Sequence, residues 1–134
     1  MNAGSVSVDV DSHPGIVLVH LTGSASSEAV RGWLTELAPI PAYREAVDVI
    51  FDVSAVDVSD ISRDELRRII HVLRDRADVG PRRVAYVVES QLRFGILRMF
   101  STLAGMQVRR TRGVFRSLDD ALSWLRDTPA EGLS

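Results

Sequence analysis

Residues 51–66 read FDVSAVDVSDISRDEL, and this stretch predicts the passage from a buried β-strand into an amphipathic helix. The apolar strand runs from Val47 to Val53, and a turn rich in serine and aspartate, Ser54 to Ser62, follows it. In parallel α/β sheets, ligands gather beyond the carboxyl ends of the strands, where such turns meet. We therefore expect this turn to contact a partner through the candidate residues Ser54, Asp57, Ser59, Asp60 and Ser62.

Ser62 opens the helix that follows. It stands three residues before Glu65, which is the spacing of a capping box. Apolar residues then recur at helical spacing, at Leu66, Ile69, Ile70 and Leu73. A phosphate on Ser62 would bring about −1.5 to −2 charges to the positive end of this helix, which is a favourable arrangement. Ser62 is thus predicted to cap the helix, and it is also a candidate for phosphorylation.

The N-terminal part of the chain predicts a β-hairpin. Residues 6–10 alternate apolar and polar side chains, as in a strand with one face in water. His13, Pro14 and Gly15 form a turn signal, and residues 16–21 are almost all apolar. This pattern favours two antiparallel strands joined by a short turn.

Strand and helix patterns alternate along the rest of the chain. Ser26 or Ser27 caps a first helix, which Pro39 and Pro41 end. The elements after the opening stretch are a strand at Val84–Val88, a helix at Leu92–Leu103, a strand at Val108–Phe115 and a helix from Ser117 onward.

The order of elements is therefore β-β-α-β-α-β-α-β-α, which predicts an α/β fold. Strands that alternate with helices pair in parallel through right-handed crossovers. We expect a mixed five-stranded sheet, mostly parallel with an antiparallel N-terminal strand, flanked by four helices. Residues 1–127 form a single domain in this prediction, and residues 128–134 form a flexible C-terminal tail.

Composition and charge exclude several classes of function. The net charge of −2 gives no overall field that attracts nucleic acid. The absence of cysteine removes disulfides, thiolate metal sites and a cysteine nucleophile. No apolar run approaches the ~20 residues that span a bilayer, and the N-terminal MNAGSVSVDVD lacks the regions of a signal peptide. We expect a cytoplasmic protein that does not bind nucleic acid.

Motifs for catalysis or metal binding are missing from the sequence. His13, His20 and His71 lack metal-ligand spacing and have no acidic partner in a recognised motif. The chain also has no nucleophile elbow, phosphate-binding loop or dinucleotide fingerprint. We therefore predict that the protein is not an enzyme and uses no metal or cofactor.

A basic strip occupies the last predicted strand and its end, at Arg109, Arg110, Arg112 and Arg116. Charge on an edge strand commonly blocks aggregation, and this is the preferred interpretation. Binding of phosphate or nucleic acid is the alternative, but the strip lacks the interleaved aromatic residues that single-strand binders use.

The opening stretch resembles the central segment of STAS domains, the family of the sporulation anti-sigma-factor antagonist. Asp52 and Ser54 match the strand end of that family, and Asp60 matches the Asp of its Asp-Ser-Ser-Gly motif. Ser62 falls on the serine that the family phosphorylates, while Ile61 replaces a Ser and Arg63 replaces the Gly. The resemblance implies a protein partner and a phosphorylation switch at Ser62.

The SpoIIAA-like subgroup of small bacterial proteins is a closer resemblance, and it spans nearly the whole chain. The segments that carry it are RVAYVV at 83–88, FGILRMF at 94–100 and VFRSLDDALSWL at 114–125. It implies a STAS-like fold, with relatives that include anti-sigma antagonists and, by fold, the CRAL-TRIO lipid carriers.

The helix predicted at 92–103 is the most hydrophobic one. One stripe faces the core, whereas Phe94 falls on the opposite side, four residues before Arg98. One interpretation is that this helix is a lid over an apolar pocket, or a face that touches a bilayer. The other is that it is a core helix with one exposed Phe. The candidate ligand or membrane contacts are Phe94, Leu97, Arg98, Met99 and Phe100.

Two functions remain open at this point. The first is a non-enzymatic STAS-like module that binds a small apolar or lipid-like ligand, or a membrane surface, under the helix at 92–103. The second is a regulatory protein-interaction module of the anti-sigma-factor-antagonist type, switched by phosphorylation of Ser62.

Overall fold

The computed structural model describes residues 5–58, 61–75, 83–89, 95, 98 and 111–127. Its strands form one five-stranded sheet in the order β1-β2-β3-β4-β5. β1 pairs with β2 in antiparallel fashion, and the other neighbours are parallel. The strands are β1 at Val6–Asp9, β2 at Ile16–Ser24, β3 at Asp48–Asp57, β4 at Arg83–Val87 and β5 at Thr111–Phe115. The predicted mixed sheet is confirmed.

The described helices with defined bounds are α1 at Ser27–Leu37, α2 at Pro41–Glu45, α3 at Arg63–Asp75 and α4 at Leu118–Asp127. Gly95 and Arg98 are also helical, which agrees with the helix predicted at 92–103 at these two positions. The other residues of that helix, and the predicted tail at 128–134, lie outside the described residues.

The short helix α2 is the element that the sequence patterns missed. α1 ends at Leu37, close to the predicted end, but Pro41 begins a new helical turn instead of only breaking the old one. Proline fits the first position of a helix because its fixed φ suits the helix and its missing N–H has no partner there.

Strands β2 and β3 run further than the prediction placed them. They pair in register from Ile16↔Asp48 to Ser24↔Asp57, with an irregularity between His20 and Thr22. The prediction that Ser54 and Asp57 lie in a turn is therefore wrong, because both residues belong to β3. Pairing with β2 keeps the chain extended through this polar segment, while Val53 and Val56 are buried.

Both faces of the sheet are buried. Alternate strand residues such as Val19 and Phe51 pack with the apolar stripes of α1 and α3. Residues of the opposite parity, such as Leu18 and Ile50, pack with α4. The helices thus cover two sides of one sheet, with the larger cluster on the side of α1 and α3.

A buried ion pair ties α4 to the sheet. Arg83 is 5% exposed and donates from Nε to Asp48 Oδ1 at 2.6 Å and from Nη2 to Asp48 Oδ2 at 2.7 Å. Nη2 also donates to the carbonyl oxygen of Leu125, in α4, at 3.1 Å. Bidentate pairs of this kind are strong and fix the geometry of both partners.

Candidate functional site: an apolar cavity beside two helix N-termini

A cavity of about 120 Å³ lies between the sheet and the helices α1 and α3. An engineered apolar cavity of roughly 150 Å³ stays dry and takes up benzene, so this volume suits a ring-sized molecule or the end of an alkyl chain. The described residues that line it are all apolar or aromatic: Leu21, Ala25, Val30, Trp33, Leu34, Leu37, Phe51, Val53, Val56, Val58, Ile61, Leu66, Leu73, Tyr86 and Val88.

Trp33 brings the one indole of this lining. Its side chain is 8% exposed, and its Nε1 is buried with no acceptor within hydrogen-bonding distance among the described residues. Buried polar groups in folded proteins nearly always have a partner. A donor left unpaired costs about 1–3 kcal/mol. The ring that lines the cavity therefore carries a donor that no described residue satisfies.

Serine side chains cap the N-termini of the two helices that form the cavity wall. Ser26 Oγ accepts the backbone N–H of Ala29 in α1 at 2.9 Å. Ser62 Oγ accepts the backbone N–H of Glu65 in α3 at 3.0 Å. The structure thus selects Ser26 over Ser27 as the cap of α1, and it places Ser62 at the start of α3 as predicted.

Glu65 departs from the predicted capping box, in which its carboxylate would reach back to Ser62. Oε1 instead accepts the backbone N–H of Ser27, in the first turn of α1, at 2.5 Å. Oε2 accepts from Arg68 Nη1 at 3.0 Å. Hydrogen bonds from the side chain and backbone of Ser27 lower the pKa of Glu65, with a smaller contribution from Arg68, while desolvation acts in the opposite direction. Glu65 is therefore ionised at neutral pH.

A histidine–aspartate pair lies on the opposite face of the sheet. His20 in β2 and Asp52 in β3 are register partners, and His20 Nδ1 lies 3.1 Å from Asp52 Oδ2. Asp52 Oδ1 also accepts the backbone N–H of Ser54 at 3.0 Å. The sequence offered no motif for this pair, because sheet register and not a local motif brings the two residues together. Within the described part of the chain, no group of three His, Cys, Asp or Glu side chains can hold a metal ion.

The structure describes some of the predicted site residues and not others. Ser62 is exposed at the start of α3, while Ser54 and Asp57 lie in β3. Arg98 is helical and exposed. The remaining candidates lie outside the described residues: Ser59, Asp60, Phe94, Leu97, Met99 and Phe100.

Sequence reasoning missed the role of α1 in this site. Val30, Trp33, Leu34 and Leu37 formed an ordinary apolar stripe in the sequence, and the structure places all four around the cavity. An apolar stripe looks the same in the sequence whether the helix packs fully or borders a cavity. The small Ala25 just before the helix is the one local feature that favours a cavity there.

Known proteins resemble this chain in fold alone. No protein-family model and no curated protein matches it. An uncharacterised DUF3478-family protein with a SpoIIAA-like fold, from Shewanella loihica PV-4, matches with a TM-score of 0.59 at 15% identity, over 91% of this chain and 93% of that one. An anti-sigma factor antagonist from Mycobacterium paratuberculosis matches with a TM-score of 0.43 at 18% identity, over 92% and 96% of the two chains. The match to the Shewanella protein shows that the chain has the SpoIIAA-like fold that the sequence resemblance implied.

Among the residues that the structure describes, no helix is long and apolar enough to cross a membrane.

Proposed function

We propose that this protein is a non-enzymatic SpoIIAA-like module that binds a small apolar or lipid-like ligand in the cavity between the sheet, α1 and α3. The observation that carries the proposal is the cavity itself, about 120 Å³ of space with only apolar and aromatic side chains among its described lining residues. Protein interiors are close-packed, and voids larger than a water molecule are few. An apolar recess of this size beside the larger of the two described apolar clusters supports a ligand site.

The chemistry of the lining limits what can bind. Water needs two to four polar partners to occupy a cavity, and the described lining residues present apolar surface. An apolar ring or an alkyl end suits this surface. A lipid-like molecule with a long chain would place only its end in the space available.

Ligand contacts from the helix predicted at 92–103 remain part of this proposal. Phe94, Leu97, Arg98, Met99 and Phe100 stay candidate ligand or membrane contacts. The proposal does not depend on them, because the described residues of α1, α3 and the sheet already line the cavity.

A cavity-filling substitution tests the proposal. Ala25→Leu adds three carbon atoms to a residue that lines the cavity. Ala55→Leu adds the same atoms to an exposed residue of β3 and is the matched control. Titration with benzene, followed by NMR, should show binding to the wild type and to Ala55→Leu, and loss of binding in Ala25→Leu. Equal binding by both variants, or none by the wild type, would contradict the proposal.

Native mass spectrometry of gently purified protein addresses the natural ligand. A small apolar molecule that co-purifies with the wild type and is lost in Ala25→Leu would identify its chemical class. A molecule that the wild type and Ala25→Leu retain equally would bind outside the cavity.

A regulatory protein-interaction module is the second candidate, and the position of Ser62 favours it. Ser62 is exposed just before α3, where a phosphate on its hydroxyl would meet the positive end of the helix. Binding of a partner protein through this end would then depend on phosphorylation. A pull-down with Ser62→Ala and Ser62→Glu tests this, since capture of the same partners by both variants would argue against the switch.

A further inference from the structure

We propose that Glu65 is a specificity-determining residue that sets the largest ligand the cavity accepts. It does so as a positioning residue, by holding the N-terminal turns of α1 and α3 together. This inference rests on the proposed function, because it concerns the size limit of that same cavity.

The two helices form facing parts of the cavity wall. Val30, Trp33 and Leu34 contribute from α1, and Leu66 and Leu73 contribute from α3. The strands behind them belong to one hydrogen-bonded sheet and cannot separate without breaking it. The distance between α1 and α3 is therefore the dimension of the cavity whose change costs the least free energy.

The bond between Glu65 and Ser27 lies beside the cavity. Leu66, the neighbour of Glu65, lines the cavity, and so does Ala25, two residues before Ser27. Ile61 lines it from the segment that leads into α3. The carboxylate thus joins the two helices at the end of the cavity where their N-termini meet.

Two physical effects make this bond a firm link. A hydrogen bond from an N–H group to an ionised carboxylate is about twice as strong as one between neutral groups. The first turn of α1 also has a partial positive charge, which favours a negative side chain at that point. Arg68 Nη1, at 3.0 Å from the other carboxylate oxygen, fixes the orientation of the carboxylate.

A ligand wider than the present space between α1 and α3 requires the two helices to move apart. Such a movement separates Glu65 from Ser27, so the loss of this bond opposes every ligand beyond the size limit. A ring-sized ligand fits without the movement and does not meet this penalty. Removing the carboxylate should therefore change which ligands bind more than it changes how tightly the small ones bind.

The experiment uses probes of increasing width, from benzene through mesitylene to 1,3,5-triethylbenzene. Each added carbon that fits should strengthen binding by about fourfold, and the affinity should fall once the substituted ring is wider than the cavity. Isothermal titration calorimetry on the wild type locates this limit. Glu65→Ala should move the limit to wider probes, with a gain of about tenfold or more for the first probe that the wild type rejects, and should leave benzene binding similar.

Three further variants separate the bond from general effects on the fold. Arg67→Ala removes an exposed side chain from the same helix and leaves Glu65, Ser62 and Ser27 in place, so it should keep the wild-type limit. Glu65→Gln keeps an oxygen acceptor of the same reach but loses the charge, so it should move the limit less than Glu65→Ala does. Glu65→Asp shortens the side chain by one methylene and should behave like Glu65→Ala, which covers the case in which the alanine variant does not fold.

The outcomes distinguish the two proposals. The role of Glu65 is wrong, and the proposed function stands, if the wild type binds the probes and both Glu65→Ala and Glu65→Asp keep the wild-type size limit. If the wild type binds none of the probes, the proposed function fails, and the role of Glu65 fails with it.

Discussion

The carboxylate of Glu65 accepts the backbone N–H of Ser27 across 38 positions of the chain. Its own backbone N–H is held by the hydroxyl of Ser62. One residue therefore participates in the N-terminal hydrogen bonding of both α1 and α3. The two helices that border the apolar cavity are joined by polar contacts at this end and by apolar packing along their length.

Protonation of Glu65 should weaken the fold in acid. The pKa of Glu65 is lower in the folded protein than its ordinary value near 4.5. The stabilisation is therefore complete above the pKa of the unfolded chain, and it is lost as the pH falls through the lower pKa of the folded state. Urea denaturation of the wild type and of Glu65→Gln, from pH 7 downward, should show a wild-type advantage that disappears in acid. An advantage that is constant with pH would contradict this prediction.

The serine caps of α1 and α3 should each contribute measurably to stability. Replacement of an N-cap serine by alanine typically costs about 1 kcal/mol, so Ser26→Ala and Ser62→Ala should each lower the free energy of unfolding by about that amount. Ser123→Ala, at an exposed position within α4, is the control and should change it by less than about 0.5 kcal/mol. Cap variants no less stable than this control would show that the hydroxyl bonds are dispensable.

Removing one partner of the ion pair between Arg83 and Asp48 should destabilise the protein more than replacing both. Arg83→Met leaves the Asp48 carboxylate, 14% exposed, without its partner, and should cost about 3–5 kcal/mol. The double variant Arg83→Met, Asp48→Val replaces the pair by apolar side chains and should recover much of that loss. Thermal and urea denaturation measure the stability of the single and the double variant. A double variant no more stable than the single one would show that the unpaired Asp48 carboxylate is not what destabilises the protein.

Two glycines should respond to alanine in opposite directions. A Cβ on Gly113 would lie 2.7 Å from the Phe115 ring, so the ring must move, and Gly113→Ala should destabilise the protein by about 1–3 kcal/mol. A Cβ on Gly32, in α1, meets nothing within 4 Å, and Gly32→Ala should stabilise by up to about 1 kcal/mol through helix propensity. Denaturation midpoints that shift in the same direction for both variants would contradict this pair of predictions.

Local patterns predicted the elements of the fold because each depends on neighbours in the chain. The turn before β2 is an example, since Gly15 adopts φ 80° where the sequence His13-Pro14-Gly15 predicted a turn. Ser62 likewise caps α3 through a bond to a residue three positions away. The alternation of strands and helices extended these local predictions to a mixed sheet, and the resemblance to SpoIIAA-like proteins implied the same fold.

Contacts between distant residues were not predictable in the same way. The bond from Ser27 to Glu65 and the pair of His20 with Asp52 depend on how α1, α3, β2 and β3 are placed in space. The assignment of Ser54 to a turn failed for a related reason. Its polar side chain suggested a break, but pairing between β2 and β3 continues to Asp57.

The two tryptophans of this chain lie on opposite sides of the sheet, which makes each one an optical reporter of its own side. Trp33 belongs to the cluster of α1 and α3, and its ring borders the cavity. Trp124 packs against Phe115 on the side of α4, with ring centroids 5.3 Å apart. Single Trp→Phe replacements would separate the two emissions. Fluorescence could then follow events in the cavity against an internal reference in the same molecule.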